Sequence, residues 1–212
     1  MNNNLQSNVL ISQDEFERIF QVIHSVYNSI ENNTEPNCLF YNLAGSFLLN
    51  YKYNIPAKPV IGGAVFSLLE NPRPKLLIGL LSETLYSDKN HFHCWVETDS
   101  HIFDFTSPLY SWYFRKEGYK WTIPKKMFQK KYSDMNSDLS KVGDFLLKPN
   151  RQLTAEIVKK GLNNKTVMDL INICIEWYTV FPQKIEPSMK IFDDQFIVKN
   201  IDLQNIKLTG YW

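Results

Sequence analysis

Three side chains have the types and the order of a thiol-based catalytic set: Cys38, His93 and Asp104. A thiolate attacks a carbonyl, an imidazole takes and returns the proton, and a carboxylate orients the imidazole. His93 stands in His93-Cys94-Trp95-Val96-Glu97, and Asp104 follows eleven residues later in Ile102-Phe103-Asp104-Phe105-Thr106. Both segments read as strands joined by the short polar connection Asp99-Ser100. The spacing therefore predicts a hairpin with base and acid on neighbouring strands. Asp104 is the acid inside an apolar-aromatic strand, where an unpaired carboxylate is costly, so His93 Nδ1–H is its expected partner. Cys38 follows Pro36-Asn37 at the head of an apolar run. With Asn37 as N-cap it falls in a first helical turn, where unpaired N–H groups and the helix dipole favour thiolate over thiol.

Other readings of the same residues stay open. A cysteine taken alone is a small buried hydrophobe more often than a nucleophile. His91 alternates with His93 along the strand and so competes for the role of base, or supports it from the same face. Two such histidines with Asp104 or His101 would also suit a metal, although no thiolate pair accompanies them. A non-catalytic binding module that retains the fold is the alternative from a different functional class.

The elements that must position these groups follow from periodicity. Ser12-Gln13-Asp14-Glu15 has the form of a capping box, and Phe16, Ile19, Phe20, Ile23, Val26, Tyr27 and Ile30 recur at helical spacing. After the polar loop Glu31 to Pro36, a second helix from Asn37 to about Tyr53 is apolar almost all round and is expected to run through the protein's middle. Strands are expected at Pro59–Phe66 and Lys75–Leu80 around a turn at Asn71-Pro72-Arg73-Pro74, then at His91–Thr98 and His101–Phe105. Aromatic-rich residues 109–121 read as a further strand, and Ile123 onward as a loop or helix. Lys125, Lys126, Lys130 and Lys131 read as a solvated helix face. Leu153–Gly161 and Thr166–Val180 are helical, and Ile191–Trp212 is irregular or strand-like. The polar 133–150 stretch is the one plausible boundary. The expectation is one domain over 1–212, with a core of about residues 12–132 and a helical extension of about 150–212.

Composition excludes little but bounds the answer. With 212 residues, 44% hydrophobic and 14% aromatic, the chain can build a real core. Its 23 basic and 22 acidic residues leave a net charge of +1, which gives no case for nucleic acid or an anionic membrane as partner. No apolar stretch approaches the roughly 20 residues of a membrane span, and the first residues lack a secretory signal. Three cysteines, without a CxxC pair, argue against a disulfide framework and point to a reduced, cytoplasmic protein.

Cys38 opening an apolar helix, His93 within His-x-Trp-Val-Glu and Asp104 in Asp-Phe-Thr together resemble the papain-like cysteine proteinase fold in its transglutaminase-like branch. More narrowly, the chain is similar to a small uncharacterised bacterial family of that fold, the motifs spanning about residues 35–110. The resemblance implies an α+β fold, with the catalytic cysteine at the N-terminus of a central helix packed on an antiparallel sheet. It implies Cys38 as nucleophile, His93 as base and then acid, and Asp104 as orienter, with Trp95 and Glu97 belonging to the strand. The implied activity is hydrolysis of a peptide, amide or small acyl substrate through a thioester, or transfer of the acyl group to an amine. Neither metal nor cofactor is implied. The chain departs from the pattern in lacking a clear Gln upstream of the cysteine. Asn32 or Asn33 would have to assist the Cys38 N–H in receiving an oxyanion. Tyr110, Trp112, Tyr113 and Phe114 either line a cleft or pack the core, and Gly62-Gly63 either admits a substrate closely or marks a bulge.

Overall fold

The computed structural model describes residues 9–30, 35–70, 74–192 and 195–212. Helix α1 (Gln13–Asn28) starts on the expected capping box, in which Ser12 and Glu15 satisfy each other's backbone N–H groups. Asn37 caps α2 (Cys38–Tyr53), its side chain accepting the Phe40 N–H at 3.0 Å. Cys38 is thus the first helical residue. Phe40, Leu43, Ala44, Leu48 and Leu49 bury α2 against α1 and the sheet, as its apolar circumference requires. Gly45 lets the helix cross close to the sheet. A Cβ there would fall 2.1 Å from the Phe105 ring.

The sheet is antiparallel and is built around β1 (Lys58–Ser67). Along its first half β1 pairs with β5 (His93–Glu97), and along its second half with β2 (Lys75–Ile78) and β8 (Phe145–Pro149). The hairpin expected around Asp99-Ser100 is present: β5 pairs with β6 (His101–Asp104) in the register Val96 opposite Phe103 and Glu97 opposite Ile102. β6 in turn pairs with β7 (Phe128–Lys131), which places Phe128 opposite Asp104. A short ladder of β3 (Leu80–Leu81) and β4 (Leu85–Tyr86) lies beside the sheet. Val96 and Phe103 pack toward α1 and α2, while Trp95, Ile102, Phe128 and Phe145 fill a second apolar layer. The result is the expected α+β class.

Several expectations need correction. Residues 110–116 form a helix, α3 (Tyr110–Lys116), rather than a strand. It follows a tight turn over Ser107–Leu109, and only Tyr110 and Phe114 of it are buried, at the helical i and i+4 spacing. The lysine-rich segment is not a helix face: Lys130 and Lys131 lie in strand β7, Lys125 and Lys126 in the irregular stretch before it, and Met127 and Phe128 between them are buried. The 133–150 stretch is no boundary, because Phe145 and Leu147 within it are core residues of β8 on the main sheet. The Lys75–Leu80 strand breaks at Gly79, whose φ of +128° favours glycine. The expected turn at 71–74 falls mostly outside the described residues.

Beyond β8, Asn150 and Asn164 cap α4 (Arg151–Leu162) and α5 (Lys165–Trp177). The extension is not helical throughout. After α5 the chain makes a two-stranded ladder of β9 (Ser188–Phe192) and β10 (Val198–Asp202), and Tyr211 returns to bridge Met127. Among the described residues, no helix is long and apolar enough to cross a membrane.

Candidate functional site

Asp104 ends β6 fully buried, and five hydrogen bonds surround its carboxylate. Oδ1 accepts from the Thr106 N–H at 2.8 Å, the Thr106 hydroxyl at 2.5 Å and Asn42 Nδ2 at 3.2 Å. Oδ2 accepts from the Tyr110 hydroxyl at 2.7 Å and from His93 Nε2 at 2.6 Å. Burial alone would raise the Asp104 pKa. The His93 charge and the donors from His93, Thr106 and Tyr110 outweigh it and hold the group below the ordinary carboxylate range. Tyr110 is driven the other way, well above a normal phenol, by burial and by the same carboxylate. It is therefore a fixed donor.

His93 is as buried as its partner, and its ring is held edge-on by Phe66 and in a stack with Trp95. Trp95 is in turn fixed by its Nε1–H donating to Glu97 Oε1 at 3.0 Å, which explains the His-x-Trp-Val-Glu pattern as a scaffold for the imidazole. Burial lowers the His93 pKa, but Asp104 and then Cys38 reverse this and push it up to about 10. The expected His93–Asp104 pair is present, with one change: Nε2, not Nδ1, meets the carboxylate. Among the described residues, Nδ1 has no aligned hydrogen-bond partner. The half-buried Cys38 thiol nevertheless acts on the ring through charge and hydrogen bonding. Both facts fit a sulfur beside Nδ1 without the alignment of a formed bond, a common condition of a resting site.

The start of α2 supplies what the thiol needs. The Asn37 cap and the first helical bonds occupy the N–H groups of Phe40 and Tyr41. Those of Cys38 and Leu39 have no acceptor in the helix and, among the described residues, none elsewhere, so they can face an anion at the sulfur.

Cys38, His93 and Asp104 are therefore brought together, and His91 is not. His91 lies in the turn before β5, exposed, with Nδ1 3.1 Å from Asp88 Oδ1, because β5 begins only at His93. It shares no face with His93. Among the described residues, no group of three or more His, Cys, Asp or Glu side chains is placed to hold a metal ion. Asn32 and Asn33 fall outside the described residues. The space beside Gly62-Gly63 is filled by protein: a Cβ on Gly62 would meet Lys148 O at 2.1 Å and Trp95 Cη2 at 2.8 Å.

Asn42 went unremarked in the sequence. It is fully buried one turn after Cys38, and Nδ2 reaches Cys38 O (3.1 Å), Cys94 O (2.8 Å) and Asp104 Oδ1, while Oδ1 accepts the Phe105 N–H at 3.0 Å. One amide thus ties the helix that Cys38 opens to the strands of both His93 and Asp104. The available signal was an amide inside a helix apolar on every side. Of the four aromatics after Asp104, Tyr110 and Phe114 are core. Tyr113 is half-buried near the thiol, its pKa well above normal through burial and then the Cys38 charge.

Fold and site together define an α+β protein in which an antiparallel hairpin and the start of a central helix assemble a cysteine, a histidine and an aspartate. The chain belongs to the DUF2026 family of proteins of unknown function, which it matches over residues 12–212. No curated protein matches it. It is similar to the protein in the crystal structure of the genomics target APC5867, at 28% identity and a TM-score of 0.84, covering 96% of this chain and 98% of that one.

Proposed function

We propose that the protein is a thiol-dependent acyl-transfer enzyme of the papain-like, transglutaminase-like kind that hydrolyses an amide or peptide bond. The observation that carries this reading is the Asp104 carboxylate. Five donors hold it, it grips His93 by Nε2, and the one unpartnered ring nitrogen is left beside a cysteine at a helix start. In the reaction the Cys38 proton is already held at His93 Nδ1, as the raised His93 pKa favours, and the sulfur bonds to the substrate carbonyl carbon. The oxyanion is received at the N–H groups that open α2. His93 returns the proton to the leaving amine as the C–N bond breaks, leaving a thioester. Water then gives a proton to Nδ1 and its oxygen to the acyl carbon, and Cys38 departs as a thiolate, which restores the starting pair. An amine in place of water would make the same intermediate a transferase.

The test uses p-nitrophenyl acetate as a general acyl donor. The expected result is a burst of p-nitrophenol equal to the protein concentration, with one acetyl group on Cys38 by mass spectrometry. Cys38→Ser should abolish the burst, and His93→Gln, which keeps the thiol, should slow it by about 100-fold or more. Equal burst rates in His93→Gln and the unaltered protein would overturn the mechanism.

A further inference from the structure

Beside the start of α2 lies a cavity of about 410 Å3, walled in part by Glu35, Pro36 and Tyr41, the sequence neighbours of Cys38. Tyr27, also in its wall, donates its hydroxyl to Glu35 O at 2.8 Å, and burial, then the Glu35 charge, then Cys38 raise its pKa. The cavity therefore lies beside the start of α2, with Cys38, His93 and Asp104 outside its wall. A larger one, of about 550 Å3 between α1 and the 181–207 segment, has no wall residue from the start of α2.

The lining charges do not balance. Glu35 is its acid, and Lys116 neutralises it at 3.1 Å, with the Lys116 ammonium also lying over the Trp112 ring. Arg115 and Lys125 are its cations, and among the described residues neither side chain has an ion pair or hydrogen bond. His24 adds no charge. Burial, and then Lys125, lower its pKa to about 4, and its ring nitrogens meet the Tyr41 hydroxyl at 2.5 Å and Asn28 Nδ2 at 3.0 Å. Two positive charges thus face a space whose body is aromatic, formed by Tyr27, Tyr41 and Trp112. Such a space suits an apolar group that ends in an anion.

We propose that this cavity binds the carboxylate-bearing part of the substrate, with Arg115 and Lys125 receiving the carboxylate and Trp112 covering the apolar body. The inference rests on the acyl-transfer reading for its place in a reaction, but its binding chemistry is tested separately. Benzoate and its neutral isostere benzamide are titrated into the full-length protein and followed by ligand-observed NMR. Benzoate should bind about tenfold tighter than benzamide, the scale of a charge-assisted contact. Added salt should erode that preference, because both cations are exposed. Arg115→Gln/Lys125→Gln should bring the two affinities together. Equal affinities in the unaltered protein, or a benzoate preference that survives in the double variant, would overturn the proposal. The p-nitrophenyl acetate burst is an independent readout. Its absence with a benzoate preference intact sinks the acyl-transfer reading alone, and its presence without that preference sinks this inference alone.

Discussion

Replacing Asn42 by alanine should loosen Cys38 from His93 and Asp104 at once. The buried amide makes four hydrogen bonds. Two of the lost contacts weigh little, since Asp104 keeps four other donors and the Cys38 carbonyl stays within the helix. The other two matter. The Phe105 N–H lies past the end of β6, and the Cys94 carbonyl loses a bond of 2.8 Å. A stranded buried donor costs about 1–3 kcal/mol and a lost neutral bond about 1, so the sum is roughly 2–4 kcal/mol. For a chain of this size that lowers Tm by roughly 5–15 °C. The thiol should also drift from His93, slowing iodoacetamide alkylation of Cys38. Differential scanning calorimetry and mass-resolved alkylation read the two effects. Asn42→Asp is the sharper comparison, because it keeps an acceptor for the Phe105 N–H but sets a carboxyl against Asp104 where a donor stood. It should not rescue either property. A Tm within about 2 °C of the unaltered protein, which corresponds to under about 1 kcal/mol, together with unchanged alkylation in Asn42→Ala, would refute the idea of a clip.

Gly62→Ala should destabilise by about 1–3 kcal/mol, because the new Cβ meets the β8 backbone at 2.1 Å as well as Trp95. Gly62 pairs with His93 in the ladder, so the burst rate should fall with Tm, and a burst unchanged beside a lowered Tm would disconnect the two. Stability should peak near neutral pH for two opposing reasons. His24 is held neutral in the fold with a pKa of about 4, so its contribution is lost as pH falls from the unfolded value of about 6.5 toward 4, by at most about 3 kcal/mol. His93 is raised to about 10, so its contribution is complete below about 6.5 and is lost as pH rises toward 10. Urea denaturation across that range should show His24→Gln flattening the acid limb and His93→Gln the alkaline one. Either limb persisting in its own variant would assign it to other groups.

How much of this was legible depended on whether the signal was local. The Ser12 capping box, the Asn37 cap that makes Cys38 the first helical residue, and the hairpin joining His93 to Asp104 all rest on contacts within a few residues. Each could be derived from spacing. The failures share the opposite cause. Aromatic residues at 110–116 fit a strand or a helix equally, and only their fit against Phe66 and Asp104 makes Tyr110 a buried donor on α3. Phe145–Leu147 looked like a brief apolar interruption in a linker, until pairing with β1 made it part of the sheet. His91 was a rival only while β5 could be imagined two residues longer.

By itself, then, the sequence determined the cast: which thiol opens a helix, which imidazole and carboxylate share a hairpin, and the α+β alternation that carries them. Tertiary structure alone decided their terms of contact. It chose Nε2 rather than Nδ1 for Asp104 and recruited Asn42, Thr106 and Tyr110 around that carboxylate. It also set Arg115 and Lys125, without an ion pair among the described residues, in a cavity beside the start of α2. The division has a physical reason. Caps, turns and strand periods are set by neighbours along the chain, whereas a buried charge is stabilised by whichever donors the packed fold brings within reach, from residues 42 to 110 here, and no spacing rule encodes that meeting.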